Sequence, residues 1–320
     1  MKKYSIYLIF ALIFCFAGEN IFAQKIKNYT PIVLEKSESL QTLVNRAAEE
    51  TIAKFTAKNF KAQNLAITLI DLRNANQPLM AEFRGNEKIY PASVVKMFYD
   101  VALHQWIANG KLKLTPAIVK AEKDMIIDSS NEATQYIVDT LTATNNGEEL
   151  SPGELKKYGE KREIVNRYFS SLGYTNINVN QKTYCESLYG RERQWWNEGK
   201  NRNMLTTNAV AQLLSEIALG KAVNAEHSLQ MMDLMKRNWD TTSPDNDNQA
   251  TGYTGIALKN YKNAKLWSKA GWTAEARHDA AYVELPNGVK FVLVTFTTGV
   301  ANEREIIPNI ARVVLENLAK

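Results

Sequence analysis

The sequence predicts a mixed α/β protein of the α+β type, with one five-stranded antiparallel sheet built from both ends of the chain and a helical lobe between them. Three observations carry this expectation. Strand-like apolar runs occur only towards the two ends, helical periodicity dominates the interval between them, and an amphipathic helix flanks the strands at each end.

Taken in order, the first element is a helix over 37–60. Leu40, Leu43, Val44, Ala47, Ala48, Ile52 and Phe55 recur at helical spacing, and Ser37 stands where a cap belongs. Residues 65–70 and 79–83 then read as strands, joined across the turn-forming stretch Asn74-Ala75-Asn76-Gln77-Pro78 into a hairpin. After Pro91 the pattern becomes helical and apolar on most sides, through Val94, Val95, Met97, Phe98, Val101, Leu103 and Trp106, and stops at Asn109-Gly110. Such a helix is buried centrally. Helices are expected over 117–127, 131–142, 160–172, 207–219 and 226–238. Strands return at 265–269, 279–285 and 290–296, the last two joined across Pro286-Asn287-Gly288, and a helix over 303–318 closes the chain. The sheet lobe thus spans about 24–88 and 255–320, and the helical lobe about 89–254.

The chain opens Met1-Lys2-Lys3, continues without charge from Ile6 to Ala17, and offers Asn20-Ile21-Phe22-Ala23 before Gln24. This pattern reads as a secretory signal peptide over 1–23, cleaved after Ala23, with a periplasmic or secreted product. The apolar stretch is short for a membrane span, so no stable anchor is expected after cleavage. Removing Lys2, Lys3 and Glu19 turns 39 basic and 34 acidic residues into 37 and 33, a net charge of +4. The basic residues are scattered, which gives nucleic-acid binding no support. Cys185 is left unpaired and reads as a buried, inert thiol. A monomer is expected. His104 and His227 lack metal-ligand spacing and no Cys/His cluster occurs, so no metal or other cofactor is expected.

Three short motifs carry chemistry. In Tyr90-Pro91-Ala92-Ser93-Val94-Val95-Lys96 the serine and lysine are one helical turn apart, so the amine can face the hydroxyl and activate it. In Asp128-Ser129-Ser130-Asn131 an apolar helix ends in a polar turn before the next helix starts. In Trp267-Ser268-Lys269-Ala270-Gly271-Trp272 a strand carries a lysine and then a glycine, which lets a substrate approach the backbone. Together they supply a nucleophile, a hydroxyl to relay a proton, an amide to orient substrate and a cation to hold a carboxylate.

With S-x-x-K, S-x-N and K-x-G in this order, the chain resembles the penicillin-recognising serine hydrolases, most closely the class A β-lactamases, over nearly its whole mature length. The resemblance implies a β-lactamase-like fold and an acyl-enzyme mechanism. It makes Ser93 the acylated nucleophile, Lys96 its base, Ser129 the proton relay, Asn131 a substrate-orienting amide and Lys269 the carboxylate-side cation. The N–H groups of Ser93 and Trp272, either side of the contact that Gly271 permits, would form the oxyanion hole. Arg277 or His278 would supply a second cation for the carboxylate; alternatively Arg277, His278 and Asp279 knit the turn into the next strand.

The chain also departs from the family pattern. Ser130 replaces the aspartate of S-D-N, and Ala270 replaces the hydroxyl residue of K-T-G. The family's deacylating glutamate lies in a loop ahead of the helix start at Thr206-Thr207, where spacing here puts Thr183. Glu186, a few residues late, is the candidate base, with Glu192 and Glu198 as further candidates and surface carboxylates as the alternative. The 187–203 segment is long, and its Trp195-Trp196 pair reads as a loop anchor or an aromatic wall. The expected substrate is a small-molecule β-lactam or a cell-wall peptide. The functional alternatives are a D-alanyl-D-alanine peptidase, amidase or esterase, or a penicillin-binding protein with little turnover.

Overall fold

The computed structural model describes residues 29–184, 187–243, 245 and 247–319. The leader with its cleavage site, Cys185 and Glu186 lie outside the described residues.

A mixed sheet divides the molecule into three layers. Its strands are β1 (Glu35–Lys36), β2 (Leu65–Asp71), β3 (Leu79–Phe83), β4 (Lys236–Arg237), β5 (Lys265–Trp272), β6 (Ala276–Glu284) and β7 (Lys290–Thr298), in spatial order β1-β3-β2-β7-β6-β5-β4. Five central strands are antiparallel, as expected. The sheet nevertheless has seven strands rather than five, because two-residue strands extend each edge, β1 running parallel to β3. Two residues are too few to leave an alternation that a sequence could display.

Every residue of β2 is buried, since both faces of the sheet are covered. Leu65, Ile67 and Leu69 point into one core with Leu40, Val44, Ile310 and Val314, from helices α1 (Glu38–Phe55) and α11 (Ile306–Leu318). Ala66 and Ile70 point into the other, shared with the helical lobe. Period-two alternation therefore sorts one apolar run into two cores. Burying an aliphatic side chain contributes about 1.5–3 kcal/mol, so these two interfaces supply most of the cohesion.

The helical lobe comprises α2 (Lys96–Ala108), α3 (Pro116–Ile126), α4 (Asn131–Thr142), α5 (Pro152–Arg162), α6 (Ile164–Ser171), α7 (Gly190–Trp196), α8 (Thr207–Ala218) and α9 (Ala225–Met235); a short α10 (Thr254–Ala257) follows. Helix α2 is buried at every position from Lys96 to Trp106, which explains its lack of a polar face. The expected single helix over 160–172 is instead two helices meeting at Glu163. Helix α5 starts at a Ser151/Glu154 capping box with Pro152 in its first turn, but its Lys- and Glu-rich body has little apolar periodicity. The helix expected to reach 238 stops at Met235, because Lys236 and Arg237 pair with Trp267 and Leu266.

Candidate active site

Ser93 sits in a tight helical turn, Ala92–Val95, that leads directly into α2. Ala92 takes φ +45°, a strained value for a residue with a Cβ, and this bends the chain sharply after Pro91. The turn is pressed against the end of β5. A Cβ on Gly271 would lie 2.6 Å from the Ser93 nitrogen and 2.9 Å from the Pro91 carbonyl oxygen. The glycine is therefore required by the backbone of the Ser93 turn, a closer approach than the substrate contact expected from sequence. Ser93, Gly271 and Trp272 border one cavity of about 920 Å³, with Trp272 exposed at its rim.

One turn further on, Lys96 is fully buried and its Nζ donates to the Ser129 carbonyl oxygen at 2.5 Å, to Ser129 Oγ at 3.2 Å and to Asn131 Oδ1 at 2.9 Å. Ser129 reaches this position through a left-handed backbone, φ +58°. Its neighbour Ser130, not Ser129, caps α4 by accepting from the Ala133 N–H at 3.0 Å, which leaves the Ser129 hydroxyl for the cavity. From the opposite wall Lys269 Nζ donates to the same hydroxyl oxygen at 2.9 Å. Ser129 Oγ thus lies between two amines, and S-x-x-K, S-x-N and K-x-G meet at a single atom. Burial first, and then the charges of Lys96 and Arg237, holds the Lys269 ammonium well below the usual lysine range. Burial also pulls Arg237 down to about 10.

The corner beside Lys269 is filled by a residue that sequence reasoning missed. Gln249 Oε1 accepts from Lys269 Nζ at 2.6 Å and from the Ala270 N–H at 3.1 Å, while its Nε2 donates to the Ile127 carbonyl at 2.8 Å. Gln249 directly follows the polar stretch 241–248, whose composition marks a loop between elements; the structure makes Asp245, Asp247 and Asn248 of that stretch, and Tyr253 beyond it, walls of the cavity. Its one sequence signal is a rich content of Asn, Asp and Ser, which is common to loops everywhere.

Arg277 is placed differently from the second carboxylate-binding cation. It is buried at 2 % exposure behind the cavity wall, where Nη1 donates to Asp247 Oδ1 at 2.5 Å, Nη2 to the Gly252 carbonyl at 2.8 Å, and the guanidinium stacks 4.0 Å from the Tyr253 ring. His278 is buried beside the arginine. Burial drops it to about 4, and its Nδ1 accepts from the Thr297 N–H while Nε2 donates to the Tyr90 carbonyl. The two side chains engage neighbouring backbone groups, Asp247 and the Tyr253 ring.

Of the loop glutamates, Glu186 lies outside the described residues. Glu192 is buried at 2 % exposure and takes Arg162 at 2.7 Å, Lys182 at 3.0 Å and the Tyr158 hydroxyl at 2.5 Å. Although burial alone would raise it, Arg162 and Lys182 hold the Glu192 carboxyl below the usual range. It anchors the loop and does not border the cavity. Glu198 is exposed and away from it. Thr183 is buried and its hydroxyl has no hydrogen-bond partner among the described residues. Trp195 packs against Tyr158 and crowds Gly159, which makes it an anchor.

A five-stranded antiparallel core between terminal helices and a helical lobe, with Ser93 on the cavity lining and buried Lys96 and Lys269 sharing the Ser129 hydroxyl, defines a serine-hydrolase architecture. The chain belongs to the beta-lactamase enzyme family, whose model matches residues 47–318. Solved structures share the fold. The beta-lactamase from Sphaerobacter thermophilus aligns with a TM-score of 0.61 at 16 % identity, covering 87 % of this chain and 97 % of that one. PBP-A aligns with a TM-score of 0.59 at 18 % identity, covering 90 % and 98 %. A beta-lactamase from Chitinophaga pinensis gives 0.61 at 17 % identity, covering 85 % and 98 %. No curated protein matches the sequence.

Proposed function

We propose that the protein is an exported serine hydrolase that opens β-lactam rings through an acyl-enzyme on Ser93. The observation that supports this most is the shared hydroxyl of Ser129, which joins Lys96 and Lys269 in one hydrogen-bonded chain. In the proposed reaction Lys96 takes the Ser93 proton as Oγ attacks the lactam carbonyl carbon. The oxygen's developing charge meets the N–H groups of Ser93 and Trp272. As the C–N bond breaks, Ser129 gives its proton to the departing nitrogen and regains one from Lys96. Water then cleaves the ester, restoring Ser93 and releasing the ring-opened acid. The Lys269 side of the cavity, with Arg237 behind it, favours an anionic substrate end.

A second reading has its own observation. Thr183, rather than an acid, occupies the position where spacing puts the deacylating glutamate, which favours a penicillin-binding peptidase or amidase with slow release. One measurement separates the two: intact mass of the mature protein against time after mixing with benzylpenicillin, with Ser93→Ala as control. Transient adduct with released product supports hydrolysis, and a persistent adduct supports the second reading. No adduct and no product across several β-lactams would remove both.

A further inference from the structure

The His104 and His227 pair, which has no metal-binding spacing in sequence, is brought into contact by the fold. Asp100 and His104 lie one turn apart on α2, Glu122 reaches them from α3, and His227 closes over them from α9. His104 Nε2 is 2.8 Å from Glu122 Oε1 and 4.0 Å from Asp100 Oδ1, and one ligand atom from each of the three lies within 4.8 Å of the others. The other ring nitrogen of His104, Nδ1, is 2.7 Å from His227 Nδ1.

Two features make this more than a hydrogen-bonded cluster. Asp100 is 2 % exposed, and although its carboxyl group meets that of Glu122, its Oδ1, 4.0 Å from His104 Nε2, has no hydrogen-bond partner among the described residues. An unsatisfied carboxylate oxygen at that depth is costly, and a second buried carboxylate beside it adds to the cost. The spacing also suits ligation. Bonds of about 2.0–2.2 Å put neighbouring ligand atoms about 3.0–3.5 Å apart, which small side-chain shifts reach from the observed separations.

We propose that Asp100, His104 and Glu122 form a binding site for a divalent first-row transition metal, zinc being the species tested. His104 Nε2 and one oxygen from each carboxylate are the ligands, with water completing the shell. His104 Nδ1–H then donates to His227 Nδ1, which fixes the tautomer that leaves Nε2 free for the metal. The half-buried His227 lies on the solvent side and is the route of entry. The site is on the helix that begins with Lys96, none of its four residues borders the cavity, and it stands independently of the proposed reaction.

The test uses the mature protein stripped with a chelator and titrated with Zn²⁺ by calorimetry, alongside thermal unfolding and the visible spectrum of a Co²⁺-loaded sample. The expected result is one Zn²⁺ per chain, a saturable rise in the unfolding midpoint and Co²⁺ d–d bands of a low-symmetry N/O site. Binding should persist in Ser93→Ala, vanish in His104→Gln, and weaken about 10–100-fold in His227→Ala. If His104→Gln does not fold, the wild-type spectrum and His227→Ala decide alone. Absence of stoichiometric Zn²⁺ in the wild type, or affinity unchanged in His227→Ala, overturns the proposal.

Discussion

Replacing Gln249 by alanine should speed acylation by carboxylate-bearing β-lactams. Its Oε1 occupies the corner between Lys269 Nζ, at 2.6 Å, and the Ala270 N–H, at 3.1 Å. A substrate carboxylate that binds Lys269 has to displace it. A hydrogen bond to a charged group contributes about 1.5–3 kcal/mol and a neutral one about 0.5–1.5 kcal/mol. The incoming carboxylate remakes both bonds and the displaced amide regains water, so the net cost is roughly 1–2 kcal/mol. At about 1.4 kcal/mol per factor of ten, removal should raise the second-order acylation constant about 5–30-fold. The assay is single-turnover acylation by a chromogenic cephalosporin, compared with its neutral ester, which should gain nothing. An unchanged or slower acid, or an equal gain for the ester, would refute the argument and make Gln249 a support for the strand.

Three further outcomes are expected. Gly271→Ala puts a Cβ 2.6 Å from the Ser93 nitrogen, so the strand and turn must separate; a displacement of that size should lower acylation about 100-fold while far-ultraviolet circular dichroism stays native. His278 is held near pH 4 against an ordinary 6.5, so the unfolded chain protonates first and stability is lost as pH falls through that window. The loss should be on the order of 3 kcal/mol by urea denaturation, and His278→Gln should flatten it. Glu192→Ala leaves Arg162 and Lys182 facing a void and should cost about 3–5 kcal/mol of unfolding free energy, read by the same method.

The parts of the site that were legible are those whose chemistry is local. Ser93 and Lys96 are a turn apart, and Ser129 and Asn131 flank one helix start, so proximity in sequence is proximity in space. Gln249 is 20 residues from Lys269 and unremarkable in composition, and its hydrogen bonds exist only once the loop folds back on β5. Arg277 and Trp272 are cross-strand neighbours, yet the arginine is buried while Trp272 stands at the rim. Directly opposed residues share a face of the sheet, so what separates the two is the segment carrying Asp247, Gly252 and Tyr253, which folds over the arginine and is distant from it in sequence. Glu192 looks no different from Glu198 in sequence; partners 30 residues back and ten residues back, Arg162 and Lys182, turn it into an anchor. The fold class was legible because two buried sheet faces demand long apolar runs, whereas two-residue edges and the charged helix α5 demand none.

The pairing of β2 with β7 has a consequence for how the protein is made. Leu65 lies opposite Thr297, so the centre of the sheet joins segments 232 positions apart. Contacts of such range form late, because the loop they close is entropically expensive until both partners are present. The helices between can collect as each emerges during synthesis, but β5, the strand that presses against Ser93, joins the centre of the sheet through β6 and β7. A chain whose last two strands have not yet emerged therefore holds the Ser93 turn without an anchored strand beside it, and a product lacking those strands would carry the S-x-x-K motif without the cavity around it.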